Sequence, residues 1–125
     1  MTNFLLISIG AILGANARYL IGQWAATALG TAFPYGTAIV NISGSFIMGF
    51  LVAWGSDRGG LSPELRLLIL VGFLGAYTTF SSFSADTLRQ ASTVGLASAF
   101  LNIAVNNVMG IGAAWVGMAL AKMTT

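Results

Sequence analysis

The stretch that decides the fold is LVGFLGAYTTFSSFSAD, residues 70–86. It lies inside an apolar segment long enough to cross a membrane, but glycines, β-branched residues and hydroxyl side chains fill its middle. In lipid, a backbone that has lost its helical hydrogen bonds persists only where protein buries it or where it lines a cavity. Discontinuous spanning helices often carry ion sites, because their free carbonyls and half-helix ends are unpaired dipoles. The stretch therefore predicts a helix that is interrupted over 75–78 and that contributes to a binding site.

Two kinds of side chain follow the expected interruption. Phe80 and Phe83 are three residues apart and share one helical face, while Ser81 and Ser84 share a neighbouring face. The edge of an aromatic ring carries partial positive charge, so ring edges and hydroxyl donors together suit an anion. The pattern predicts that these four side chains line an anion path.

Composition places the chain in a membrane. Of its 125 residues 57% are hydrophobic and 6% are charged, whereas about a quarter of the residues in soluble domains are charged. The absence of histidine and cysteine removes the usual transition-metal ligands and thiol nucleophiles. Three acids leave little material for acid–base catalysis, so we expect no enzyme. Five scattered basic residues are too few for a nucleic-acid surface.

Four apolar segments are each long enough to cross a hydrocarbon core of about 30 Å. We predict helices over about 4–30, 35–56, 64–90 and 96–122, which form one transmembrane domain, 1–125. A cleavable signal peptide is the competing interpretation of the first segment, but no basic region precedes it. Pro34 favours a turn before the second helix, and Ser62-Pro63-Glu64 is typical of a helix start. The predicted fold class is an all-α membrane protein with four spans and a break in the third.

Three polar side chains within the predicted spans are candidates for function. Arg18 shares a helical face with Gly14 and Gly22, and it either extends to the membrane surface or lies in a water-filled vestibule that attracts anions. Asn41 is costly to bury without a partner, so it either bonds to a neighbouring helix or faces a conducted species. Asn106 lies on the small and polar face of the fourth helix. The residues alone leave these alternatives open.

Three motifs resemble those of one family. GAYTTFSSFS at 75–84 is similar to the GG-x-TTFSTFS signature of the Fluc (CrcB) family of bacterial fluoride channels. GANARY at 14–19 resembles G-A-x-x-R-[YW] of the family's first helix, and GTAIVNISGSF at 36–46 resembles G-T-x-x-V-N-x-x-G-S-F of its second. The chain departs from the family pattern at Ala76, Asp86 and Gly110, where a glycine, a glutamate and a hydroxyl residue are commoner.

The resemblance implies a fluoride-selective channel that exports F⁻ across the bacterial inner membrane and so relieves fluoride toxicity. It also implies an antiparallel (dual-topology) homodimer of oppositely inserted subunits in membrane lipid, with two pores related by the two-fold axis. The charges agree with this, because the bias that would orient a single topology is weak. Arg58, Arg66 and Lys122 lie on one side of the predicted spans, and Arg89, which can pair with Asp86, lies on the other.

The predicted fluoride pore contains Phe80, Phe83, Asn41, Ser81, Ser84 and Asn106, with Arg18 in its vestibule. Such a lining lacks the ring of acids that favours cations, but the choice of fluoride rests on the resemblance. Two other classes fit a four-helix membrane protein. Small multidrug transporters depend on a glutamate in the first helix, and 4–30 contains no acid. A purely structural membrane subunit would leave TTFSSFS at 78–84 without a purpose.

The expected break also predicts a cation site. In an antiparallel dimer the two breaks can meet at the centre, where carbonyls released from Gly75 and Thr78 of each chain would point at one another. A buried monovalent cation would stabilise them, and the resemblance implies a structural Na⁺ that is not conducted. We therefore expect a tetrahedral Na⁺ site made of four main-chain carbonyls on the two-fold axis. The alternative is that threonine or serine hydroxyls bond to the freed carbonyls.

Overall fold

Four long helical segments make up the computed structural model, which describes residues 1–57 and 60–124. Each is long and apolar enough to cross a membrane: Thr2–Leu29, Tyr35–Gly55, Pro63–Thr93 and Leu96–Met123. Only 11% to 28% of the most apolar part of each span is buried within the chain, so most of its surface is left for lipid or for another protein. The predicted all-α membrane fold with four spans is confirmed.

The third and fourth spans are composite. The helices are α1 (Thr2–Leu29), α2 (Tyr35–Asp57), α3 (Pro63–Leu65), α4 (Gly75–Tyr77), α5 (Phe80–Thr93), α6 (Leu96–Ala104) and α7 (Gly110–Met123). Two π-helical segments, π1 (Arg66–Leu74) and π2 (Val105–Met109), join α3 to α4 and α6 to α7. The π segments were not predicted, because segments this short do not produce a recognisable hydrophobic periodicity in the sequence. The predicted span ends lie within three residues of the observed ones, and Arg58 and Gly59 lie outside the described residues.

Local signals set several helix ends. The Ser62 hydroxyl accepts a hydrogen bond from the Leu65 N–H at 3.2 Å, and Pro63 follows in the first turn of α3, as predicted. Between α1 and α2, Gly30 has φ +84°, and between α5 and α6, Gly95 has φ +136°. Residues with a Cβ atom rarely adopt such angles, so both turns depend on glycine.

Two pairs of elements pack backbone to backbone. α1 lies against π1 at Gly14, where an added Cβ would overlap the Phe73 carbonyl oxygen. α2 lies against α7 at Gly117, where an added Cβ would overlap the Phe46 carbonyl oxygen. Small residues allow this close approach, which is a main source of helix association in lipid. The short helix α4 contacts both α1 and α2, so the break that follows it lies between the two pairs.

The break lies at Thr78 and Thr79, so the predicted interruption over 75–78 is confirmed at Thr78 and wrong over 75–77. Gly75–Tyr77 is helical, whereas the extended residues are Thr78 (φ −81°, ψ 158°) and Thr79 (φ −151°, ψ 117°). Helical geometry then resumes, and the Thr79 hydroxyl accepts a capping hydrogen bond from the Ser82 N–H at 3.1 Å. Threonine favours extended backbone and supplies this cap, whereas glycine only permits a break. The threonines therefore favour a stop at this point of the span.

Candidate functional site

Asn41 of α2 provides hydrogen-bond partners for the backbone of Thr79 at the break. Its Oδ1 accepts from the Thr79 N–H at 2.8 Å, and its Nδ2 donates to the Thr79 carbonyl at 3.1 Å. These two bonds satisfy the N–H and the carbonyl of Thr79, because leaving them unpaired at membrane depth would be costly. Gly44, one turn along α2, allows the approach, because an added Cβ would overlap the Thr78 methyl group.

A cavity of about 380 Å³ lies beside the break, and we call it the aromatic cavity. Phe80 and Phe83 line it, with ring centroids 5.5 Å apart and ring planes inclined by 53°. Phe80 is 79% exposed on the single chain, so its ring edge is accessible. The other lining residues are Asn41, Gly44, Ser45, Met48, Thr78, Thr79, Asn106, Asn107 and Ala114. Among the described residues, no charged side chain lines this cavity.

The structure brings four of the six predicted pore residues together. Asn41, Phe80, Phe83 and Asn106 line the aromatic cavity, and Ser81 and Ser84 do not. The Ser84 hydroxyl turns back along its helix and donates to the Phe80 carbonyl at 2.9 Å. Ser81 is exposed and lies roughly 100° around the helix from Phe80, since an α-helix has about 3.6 residues per turn. In the single chain, therefore, neither serine lines the aromatic cavity.

The two predicted pore amides have both protons engaged within the protein. Asn41 Nδ2 donates to the Thr79 carbonyl and, at 2.9 Å, to Asn106 Oδ1. Asn106 Nδ2 donates to the carbonyl and the Oδ1 of Asn102, each at 3.0 Å. A side-chain amide has two donor protons, so the expectation that these amides donate directly to an anion needs correction. Of the two alternatives for Asn41, the observed one is bonding to neighbouring helices.

Arg18 lies at a second cavity of about 330 Å³, which we call the vestibule cavity. Arg18 is half-buried, and Thr37, Thr79 and Ser82 from other spans also line this space. Thr79 therefore lines both cavities. A positive charge in a recess with low-dielectric walls concentrates anions. This placement favours the vestibule alternative for Arg18.

Asp86 has two hydrogen-bond partners, and one of them, Arg89, balances its charge. One oxygen accepts from Arg89 at 2.8 Å, as predicted, and the other accepts from the Thr37 hydroxyl at 2.7 Å. A third cavity of about 200 Å³ contains both charged residues and shares Gly22, Gly36 and Thr37 with the vestibule cavity. Among the described residues no carboxylate pairs with Arg18, so the vestibule keeps its positive charge.

The break frees the two carbonyls that were predicted to bind a cation. In a continuous α-helix, the Gly75 carbonyl would accept from the Thr79 N–H, and the Thr78 carbonyl from the Ser82 N–H. The Thr79 N–H donates instead to Asn41 at 2.8 Å, and the Ser82 N–H donates to the Thr79 hydroxyl at 3.1 Å. Gly75, which has only backbone atoms, is exposed on the single chain.

Sequence reasoning missed three residues that shape this site. Gly44 sets the distance between α2 and the break, Thr79 lines both cavities, and Asn102 is fully buried behind Asn106. One signal was present for Asn102, because amides four residues apart in an apolar span face the same way and polar groups there are usually functional. The other two depend on contacts between spans that no local pattern reveals.

Comparison with known proteins identifies the family. A family model described as CrcB-like protein, Camphor Resistance (CrcB), matches residues 5–118. The chain belongs to the CrcB family. This match confirms the resemblance that the three motifs indicated.

Three relatives of this CrcB-family chain have the same name, fluoride-specific ion channel FluC. The chain is 43% identical over 119 residues to the protein from Acidobacterium capsulatum, and the match covers 95% of each. It is 43% identical over 118 residues to the protein from Trichormus variabilis, over 94% of this chain and 86% of the relative. It is 44% identical over 120 residues to the protein from Shewanella woodyi, over 96% of each. Relatives named as ion channels confirm the prediction that the chain is not an enzyme.

Proposed function

We propose that the chain is a fluoride-selective channel that exports F⁻ across the bacterial inner membrane and so relieves fluoride toxicity. The observation that carries this proposal is the meeting of two unlike cavities at Thr79. One contains the positive charge of Arg18, and the other presents the rings of Phe80 and Phe83. The name of the relatives supports fluoride as the ion.

The geometry suggests how an anion would pass. Arg18 raises the local concentration of anions in the vestibule cavity. Ser82 then offers a proton, because its oxygen accepts from the Thr79 hydroxyl at 3.0 Å and its own hydrogen can turn outward. Beyond Thr79, the positive edges of Phe80 and Phe83 replace part of the ion's hydration shell. Fluoride is the smallest halide and the strongest hydrogen-bond acceptor among them, so a narrow path of this kind suits it better than chloride.

Efflux from liposomes tests the proposal directly. The purified chain is reconstituted into vesicles loaded with potassium fluoride or potassium chloride, and ion-selective electrodes follow release after valinomycin is added. We expect rapid fluoride release and much slower chloride release. Equal rates for the two halides, or no release of fluoride, would contradict the proposal.

We propose further that two chains form an antiparallel, dual-topology homodimer with two pores in membrane lipid. Both main cavities open at the surface of the single chain, and Phe80 is 79% exposed there. An anion path open to hydrocarbon along its length would be unfavourable, so a second copy is needed to enclose it. Asn16 and Asn107 are also exposed in the middle of spans, where polar groups usually face protein or water rather than lipid.

Dual topology predicts labelling from both sides of the membrane. The sequence has no cysteine, so Thr2→Cys at the start of α1 introduces a unique thiol. In intact inverted and right-side-out vesicles, we expect a membrane-impermeant maleimide to label about half of the thiols from each side. Labelling that is complete from one side would contradict the antiparallel arrangement.

Sodium is the proposed structural ion at the dimer centre. The carbonyls of Gly75 and Thr78 fit this role, because the N–H groups that would bond to them in a helix donate elsewhere. The Thr78 hydroxyl does not compensate, since it donates to the Leu74 carbonyl at 2.9 Å. Bound Na⁺ would supply positive charge where carbonyls of two chains converge.

Removal of sodium should therefore weaken the dimer. We expect the melting temperature of the detergent-solubilised dimer to fall when N-methyl-D-glucamine replaces Na⁺ at constant ionic strength, and to recover when Na⁺ is restored. Restoring lithium or rubidium instead provides a test of ion size. An identical melting temperature with and without sodium would exclude the structural site.

A further inference from the structure

Four side chains form one continuous series of hydrogen bonds from the break to the middle of α5. Asn41 donates to Asn106 at 2.9 Å, Asn106 donates to Asn102 at 3.0 Å, and Asn102 donates to the Thr87 hydroxyl at 2.9 Å. Thr87 in turn donates to the Phe83 carbonyl at 2.8 Å. The amide chain, as we call these four side chains, links α2, the fourth span and α5.

Backbone groups fix the direction of the amide chain. Asn41 must turn its oxygen to the Thr79 N–H and its nitrogen to the Thr79 carbonyl. Asn106 must turn its nitrogen to the Asn102 carbonyl. Rotating either amide by 180° would place its oxygen against a carbonyl oxygen. The amide and carbonyl groups would then be left without hydrogen-bond partners, which is unfavourable for buried polar atoms. The hydrogen bonds between members of the amide chain therefore all run in one direction, from Asn41 to Thr87.

The amide chain is sheltered from solvent where it matters most. Asn102 is fully buried, with 0% of its surface exposed. Thr79, to which the first member of the amide chain bonds, is 8% exposed. Hydrogen bonds in a low-dielectric interior are stronger, and successive bonds polarise one another. Each amide therefore depends on the next for its orientation.

We propose that Thr87 and Asn102 are positioning residues for the anion path. Neither lines the aromatic cavity, but they hold Asn106, Asn106 holds Asn41, and Asn41 holds the extended Thr79 between the two cavities. Thr87 also donates to the Phe83 carbonyl of its own helix, so the amide chain ends one turn from a ring of the aromatic cavity. This inference rests on the proposed channel function.

A matched pair of variants at Thr87 tests the proposal. Thr87→Val keeps the shape and removes the hydroxyl that ends the amide chain, whereas Thr87→Ser keeps the hydroxyl. We expect Thr87→Val to slow fluoride efflux roughly tenfold, which corresponds to about 1.4 kcal/mol in the barrier, and Thr87→Ser to remain near the wild-type rate. Thr27→Val is the control, because the Thr27 hydroxyl donates only to the Gln23 carbonyl of its own helix. The dimer should elute unchanged from gel filtration in every case.

Side-chain amide resonances provide a readout that a general loss of packing would not mimic. In a ¹⁵N-labelled protein, we expect Thr87→Val to move the side-chain signals of Asn102, Asn106 and Asn41 and to leave those of Asn16 in place. The Asn16 amide lies on α1 and donates to the Ile12 carbonyl of its own helix. Wild-type efflux together with unmoved Asn41 signals in Thr87→Val would overturn the proposal.

A second test uses only the wild-type protein. It can therefore be carried out even if the Thr87→Val variant does not fold. The side-chain amide protons of Asn102, Asn106 and Asn41 should exchange with deuterium at least tenfold more slowly than those of Asn3, which is exposed at the start of α1. Equal exchange rates would show that the amide chain does not persist. If the wild-type protein conducts no fluoride, the channel proposal fails, and the exchange measurement still decides whether the amide chain exists.

Discussion

Fluoride efflux is expected to fall at least about tenfold, equivalent to about 1.4 kcal/mol in the barrier, when isoleucine replaces Phe80 or Phe83. Isoleucine preserves apolar bulk but has no ring, so the positive edge that an anion would approach is lost. The two rings contact one another, with centroids 5.5 Å apart. A single replacement should therefore also disturb the other ring, and the double variant should be little worse than the more severe single one.

Controls separate this effect from a loss of folding. Phe4→Ile replaces a phenylalanine that is 77% exposed and lies outside the aromatic cavity, and it should leave efflux unchanged. The Phe80 and Phe83 variants should elute as dimers and melt within a few degrees of the wild-type protein. Undiminished fluoride efflux in both variants would assign the rings to packing alone.

Gly44→Ala is expected to destabilise the protein by about 1–3 kcal/mol, the usual cost of overpacking a filled interior, and to suppress fluoride efflux. The new methyl group would overlap the Thr78 methyl and lie 3.2 Å from Cδ1 of Tyr77. α2 would have to move away from the break, which lengthens both bonds between Asn41 and Thr79. The measurements are thermal unfolding of the purified dimer and efflux from liposomes.

A second substitution should reverse that loss. Thr78→Ser removes the methyl group that an alanine at position 44 would overlap, and it keeps the hydroxyl that donates to the Leu74 carbonyl. The double variant should therefore recover most of the stability and efflux that Gly44→Ala loses. Gly112→Ala in α7 is the matched control, because an added Cβ at Gly112 has no atom within 4 Å. If Gly44→Ala behaves like Gly112→Ala, close packing at Gly44 does not hold the break in place.

Much of the fold follows from local properties of the chain. A run of apolar residues long enough to cross the hydrocarbon core predicts a span wherever it occurs, so the four spans are found to within three residues. The start of α3 at Pro63 follows from the hydroxyl of Ser62, and the pair of Asp86 with Arg89 follows from their spacing on one helix. The motif at 75–84 likewise indicates the family and a broken third span.

The donor groups of the site were predicted less well than its aromatic groups. Spacing on one helix correctly predicts that Phe80 and Phe83 contact each other. The hydrogen-bond partners of Asn41 and Asn106 could not be predicted in this way. A polar side chain within a span usually bonds to a polar group of another span, and spacing along one helix does not identify that group. Here each amide faces another amide or a freed peptide group, and both of its protons are used.

The sequence by itself determined the number of spans, their ends, the family and the presence of a break, because each depends on residues close together in the chain. Only the tertiary structure decided where the break falls. Thr79 gives up its helical hydrogen bond because Asn41, 38 residues away, approaches through the gap beside Gly44 and bonds to both the N–H and the carbonyl of Thr79. A peptide group in lipid must bond to some partner, so the position of that amide determines which carbonyls are freed.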